Sequence, residues 1–125
     1  MATPKPTASE LTILNVLWDR GTGTVREVHT ECGGGYTTVL KTLQIMAQKG
    51  LVERDESGRA HVYRPTSGRK ATQCQLVGDL LDRVFDGSAS QLVLRALSEH
   101  RFSKKEIAEI RKMLNRLEKH GGRKQ

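Results

Sequence analysis

Cysteine is scarce in this 125-residue chain: Cys32 and Cys74 are too few for a disulfide framework, and they do not form a metal-type pair. A reducing, cytoplasmic setting is therefore expected. No segment approaches the roughly 20 apolar residues of a membrane span, and the opening MATPKPTASE lacks the apolar stretch of a signal peptide, so no membrane insertion is expected. Aromatic residues make up only 4%, which leaves the core to aliphatic side chains. A chain of this length can bury a modest core but not a large enzyme cavity. It has neither a phosphate loop nor a nucleophile motif, and His29, His61, His100 and His120 are scattered. An enzyme, a cofactor and a metal site are all unsupported.

Acidic residues are missing from one stretch in particular. Between Gly33 and Gly50 there is none, and GYTTVLKTLQIMAQKG (residues 35–50) has helical periodicity. Val39, Leu40, Leu43, Met46 and Ala47 recur at three- and four-residue spacing and define an apolar face, with Thr37, Thr38, Lys41, Thr42, Gln48 and Lys49 towards the other side. Short hydroxyls and a lysine suit base edges and phosphate oxygens, so the segment reads as a DNA recognition helix at about 36–49. The formal charge of +7 points the same way, towards an acidic partner.

Upstream, residues 1–8 show no periodicity and read as a mobile arm. Ser9 is placed to cap a helix running to about Asp19, with Leu11, Leu14, Leu17 and Trp18 inward and Gly21 and Gly23 ending it. Thr24 and Glu27 have capping-box spacing ahead of a short helix with Val25, Val28 and Cys32 on one face. The glycines at 33–35 then turn the chain into the recognition helix, a helix-turn-helix grammar. Leu51–Arg54 and Ala60–Arg64 read as two strands around a turn at 55–58, with Pro65 limiting further pairing, which makes the first part a winged helix. Arg59, Arg64, Arg69 and Lys70 follow that turn with no intervening acid. Arg59 and Arg64, on the wing, are the candidates for phosphate contact.

Beyond residue 70 the pattern is that of an association module. Leu76, Val77, Leu80, Leu81, Val84 and Phe85 form a broad stripe ending near Asp86 and Gly87. Leu92, Val93, Ala96 and Leu97 are the inner positions of a helix started by Ser88 or Ser90. Ser103 and Glu106 repeat the capping-box spacing, and Ile107, Ile110, Leu114 and Leu117 step by three, four and three. Two chains interleaving these helices would bury the stripes, with Leu80, Val84 and the seam at 107–117 as dimerisation residues. An intramolecular three-helix bundle is the alternative.

The fold class expected is thus mainly α with a small β-hairpin wing, residues 1–70 binding DNA and residues 71–125 forming a helical dimerisation region. YTTVLKTLQIMAQKGLVERDESGRAHVYRP resembles the recognition helix and wing of the penicillinase-repressor family, the BlaI, MecI and CopY type of bacterial regulator. The likeness extends from LTILNVLWDRGTGTVREV through LVGDLLDRVFDGSASQLVL to FSKKEIAEIRKMLNRL. The resemblance implies a homodimeric repressor of pseudo-palindromic operators with TACA and TGTA half-sites, contacted at the positions of Thr37, Thr38, Lys41 and Thr42. It also implies a membrane sensor protease as partner, cutting between an asparagine and a phenylalanine in the dimerisation region. Here Arg95 and Ala96 stand at that place, so a protease shaped for that pair is not expected to cut this chain. The cysteine motifs by which CopY-type members sense metal are missing from the tail EKHGGRKQ. Two other readings use the same elements: a winged-helix module that binds protein, and a regulator that senses a small ligand.

Overall fold

Thr7 opens the first helix. In the computed structural model, which describes residues 5–121, the Thr7 hydroxyl accepts from the Glu10 amide at 3.2 Å and the Glu10 carboxylate accepts from the Thr7 amide at 2.9 Å. This box satisfies two backbone donors that a helix start otherwise leaves unpaired, and it sets α1 at Ala8–Arg20. Ser9, expected as the cap, is instead inside the first turn, because the Thr-x-x-Glu spacing begins at residue 7. The expected arm is corrected in part as well: Pro6 is buried and Lys5 reaches Asp79 at 2.8 Å. Residues 1–4 lie outside the described residues. The same reciprocal box at Thr24 and Glu27 starts α2 (Val25–Cys32), as the spacing predicts.

Gly33 and Gly34 both take φ +76, a conformation that side-chain-bearing residues rarely adopt, and so turn the chain from α2 into α3 (Tyr36–Lys49). Gly50 ends α3 in the left-handed region: its amide donates to the Ala47 carbonyl, and the Leu51 amide donates to that of Met46 at 2.9 Å. Leu51 is itself buried, so the stop also fastens the helix end to the core.

The wing follows as β2 (Val52–Asp55) and β3 (Val62–Pro65), antiparallel, with Val52 opposite Pro65 and Asp55 opposite Val62. The sheet has a third strand that the sequence pattern did not reveal. Gly23–Thr24 form β1, antiparallel to β3, in the order β1-β3-β2. Gly23 is therefore a strand residue and not a helix stop. A Cβ at Gly23 would stand 3.2 Å from side-chain carbons of Leu17 and Val28, so glycine lets the chain pass between the first two helices. Pro65 lacks an amide proton, but it does not stop the pairing as expected: beyond it the Thr66 amide still donates to the Leu51 carbonyl at 3.0 Å.

One core unites these elements: Ile13, Leu14 and Leu17 from α1, Val25 and Val28 from α2, Val39, Leu43 and Met46 from α3, and Leu51, Val52 and Tyr63. Leu11 and Trp18, expected to face inward, and Cys32 pack half-buried at its margin. Burial and the neighbouring Glu31 push the Cys32 thiol above its ordinary value, which keeps it protonated.

The chain divides into two compact units between Leu80 and Leu81, within α4 (Arg69–Val84). In the first, the Trp18 indole donates to the Ser67 carbonyl at 2.9 Å. The Arg69 guanidinium lies 5.5 Å over the Trp18 ring and pairs with Asp19 at 2.7 Å. In the second, Asp86 and Gly87 at φ 51 and 82 turn the chain, Ser88 caps α5 (Ala89–Glu99), and a Ser103/Glu106 box starts α6 (Lys104–Gly121). No residue from Leu81 to His120 is buried, so this unit has no core of its own among the described residues.

Lys49 was expected on the solvent side of α3, but it donates to both carboxylate oxygens of Glu10 at 2.9 Å. Glu10 is 4% exposed. Burial acts to raise its pKa, but the Thr7 amide and the Lys49 ammonium outweigh it and hold the carboxyl below its ordinary value. A carboxyl with a lowered folded-state pKa stabilises the fold above its unfolded-state pKa, and that stability is lost as pH falls through the folded value. Lys49→Met, which strands Glu10, is therefore expected to cost about 2 kcal/mol in urea unfolding at pH 7, less than a fully buried pair because Lys49 is partly solvated. The gap from wild type should narrow as the pH is taken below about 4. A gap unchanged by acid would show that the pair does not provide the stability.

Candidate nucleic-acid interface

The exposed face of α3 follows directly from its buried one. With Val39, Leu43 and Met46 against the core, the helical repeat turns Thr37, Thr38, Lys41, Gln44, Ile45 and Gln48 outward, and all six are exposed. Thr42 sits at the edge of this face, half-buried, and its hydroxyl donates to the Thr38 carbonyl at 2.8 Å. Of the four expected reading residues on the helix, Thr37, Thr38 and Lys41 are thus fully presented, and Thr42 has its proton committed to the backbone. Gln44 and Ile45 were missed, although a helical wheel drawn from the buried positions places them on either side of Lys41 and Gln48.

Helix α3 differs from its neighbours at its start. The boxes at Thr7 and Thr24 cap α1 and α2, whereas Gly35 supplies no side chain and the first turn of α3 holds no acid. Its leading amides and the positive end of its dipole face outward unneutralised. His29 steadies this end: its Nε2 donates to the Gly34 carbonyl at 2.8 Å, and its ring meets Tyr36 edge-on, with centroids 5.5 Å apart.

Arg59 and Arg64, joined in the sequence reading as wing cations, have different surroundings. Arg59 has no carboxylate partner among the described residues and, with Arg26, Tyr36 and His61, lines an open depression of about 430 Å³ beside the start of α3. Arg26 carries no signal in the sequence, since only the packing of α2 beside the wing brings it there. Arg64 is held across the strands by Glu53, 2.6 Å away, as the register Glu53–Arg64 requires. The pair is exposed and therefore weak, so Arg64 remains able to exchange partners. Arg69 belongs to Asp19 and Trp18, which removes it from the free basic cluster.

The wing tip is ordered by small local contacts. The Ser57 amide donates to the Asp55 carboxylate at 2.9 Å, and Ser57 holds that carboxyl below its ordinary value. Arg54 is raised by Tyr63 and by the carboxylate of Glu56 at 2.6 Å. A second open depression, of about 810 Å³, lies on the wing, lined by Glu53, Arg54, Asp55, Glu56 and Arg64 among others. Both depressions are open, and the one on the wing is rich in charge, unlike the mostly apolar sites that hold small ligands.

Leu80, Val84, Ile107, Leu114 and Leu117, expected to mediate dimerisation, are each more than a third exposed, and Ile110 is half-buried. Among the described residues no helix is long and apolar enough to cross a membrane.

Comparison with known proteins adds a family to this geometry. The model of the penicillinase repressor family matches residues 6–116. The transcriptional regulator BlaI of Mycobacterium tuberculosis is 35% identical over 120 residues, covering 91% of this chain and 86% of that protein. A penicillinase repressor of Bacillus licheniformis is 28% identical over 125 residues, covering 97% and 95%. A mutant MarR of E. coli, solved in complex with operator DNA, shares the fold with a TM-score of 0.51 at 18% identity over 90% of this chain and 75% of its own. The chain belongs to the penicillinase-repressor family of winged-helix transcriptional regulators.

Proposed function

We propose that this protein is a homodimeric repressor that binds a pseudo-palindromic operator with TACA/TGTA-type half-sites. Residues 1–70 read the DNA and residues 71–125 hold the two chains together. The observation that carries this reading is the outward face of α3: it is free of acid, it starts with uncapped amides, and it is flanked by Lys41 and Arg59, cations without carboxylate partners among the described residues. Acids or a broad apolar patch on that face would favour a protein partner, and it carries neither.

Each part of the interface has its own role. Thr37, Thr38 and Lys41 are placed to meet base edges in the major groove, and Thr42 acts through its methyl group and the lone pairs of its oxygen. Lys41→Ala is expected to weaken specific binding by about 1 to 3 kcal/mol, measured by titration against an operator and a scrambled duplex. Equal and unchanged affinities for both duplexes would remove Lys41 from the reading set.

The wing serves as a backbone clamp. Arg59→Ala should weaken binding to all sequences alike and flatten the slope of log affinity against log salt by about 1, with discrimination intact. A variant that loses discrimination and keeps its salt slope contradicts this role. Arg64 must leave Glu53 to contribute, so its replacement should have the smaller effect.

Assembly rests on the apolar helices. An isolated chain leaves Leu80, Val84 and the seam of α6 in water, a cost that a second copy removes by symmetric burial. Leu114→Asp puts a charge where the seam closes, and light scattering should show a monomer that binds operator weakly. An unchanged dimer with normal affinity would locate the interface elsewhere.

Repression is proposed to end by a signal-dependent event in the dimerisation region, in the cytoplasm, with a membrane sensor protease as candidate partner. Arg95 and Ala96 lie exposed within α5, so cutting there requires that helix to unwind locally. A protease selective for an asparagine followed by an aromatic ring would lose both contacts.

A further inference from the structure

We propose that Ile45 is a specificity-determining residue that reads a thymine methyl group in each half-site, an inference that rests on α3 being the recognition helix. Before α4, the large hydrophobic side chains left exposed among the described residues are Tyr36 and Ile45, both on α3. Tyr36 is accounted for by its edge contact with the His29 ring. Ile45 is 49% exposed and has no such partner.

Its position is central to the proposed reading surface. Ile45 stands one turn beyond Lys41, about 6 Å along the axis, and three residues before Gln48, with Thr38 two turns back on the same stripe. A β-branched side chain at a half-exposed helical site leaves much of its apolar surface in water and is a poorer helix former than the Lys and Gln around it. With no polar atom, it cannot bond a phosphate, a ring nitrogen or an exocyclic amine. The group in the major groove that it complements is the C5-methyl of thymine, where the contact removes two apolar surfaces from water. A lone isoleucine ringed by Thr38, Lys41, Gln44 and Gln48 is too small an apolar area for a protein-docking patch.

The test begins with duplexes enriched from random sequence by the full-length protein. Each thymine of the enriched site is then replaced by deoxyuridine, which removes the methyl and leaves base pairing unchanged. Wild type should lose about fourfold in affinity at one position per half-site, the value of one buried methyl. Ile45→Ala, which removes the contact from both half-sites, should bind the thymine duplex about sixteenfold more weakly, about fourfold per half-site, and should no longer distinguish it from the deoxyuridine duplex; Ile45→Val should retain part of the distinction. An enriched site at which wild type ignores every thymine methyl, or at which Ile45→Ala keeps the full sensitivity, overturns this inference and leaves the repressor reading standing. Failure to enrich any sequence overturns both.

Discussion

Glu10 and Lys49 join two places that are 39 residues apart in the chain: the capping box that starts α1 and the last turn of α3. Glu10 bonds the Thr7 amide and the Lys49 ammonium through the same carboxylate, so the start of one helix and the end of the other share one partner. A carboxylate this deeply buried is tolerable only while it is fully partnered, which ties the pitch of α3 to the position of α1. Gly50 and Leu51 fix the same end of α3 from the other side by closing its last carbonyls and burying the next side chain. The far end of α3, at Gly35, has no capping side chain; His29 steadies it at Gly34 and Tyr36, and it faces outward. The helix is thus anchored at its C-terminal end and presented at its N-terminal one, the arrangement that groove reading requires.

The distribution of charge is more informative than its total. Arg20, Lys49, Arg54, Arg64 and Arg69 are each paired with a carboxylate. Arg26, Lys41 and Arg59 have no such partner among the described residues, and the structure places Arg26 and Arg59 around the start of α3 and Lys41 on its outer face. The same surface keeps an exposed aliphatic side chain, Ile45, where a polar one would cost less. Such a face suits the proposed division of labour, in which Arg26 and Arg59 would meet phosphates while Lys41 and its uncharged neighbours would meet base edges.

The second unit poses a different physical problem. Its helices are well started, by Ser88 and by the Ser103/Glu106 box, yet none of its described residues is buried. Caps and local pairs give helices this length only marginal stability, so the apolar stripes need a surface to close against. In the proposed dimer, association and folding of this unit would be one process, with a stability that depends on protomer concentration.

The amino-acid sequence alone determined the local grammar. Capping boxes at Thr24 and Ser103, the turn at 33–35, the stop at Gly50 and the buried stripe of α3 were all legible because each depends on residues within one or two turns. The box at Thr7 was equally local and was passed over for Ser9, two residues downstream. The outward placement of Thr37, Thr38 and Lys41 was legible for the same reason: the buried face of a helix dictates its exposed one. Tertiary structure alone decided the rest. A two-residue strand at Gly23–Thr24 has too short a pattern to be seen and exists because β3 offers it an unpaired edge. Lys49 became an anchor, Arg64 a partner of Glu53 and Arg69 a cover for Trp18, because a cation's role is set by which carboxylate or ring the fold brings within reach, and sequence spacing does not encode that distance.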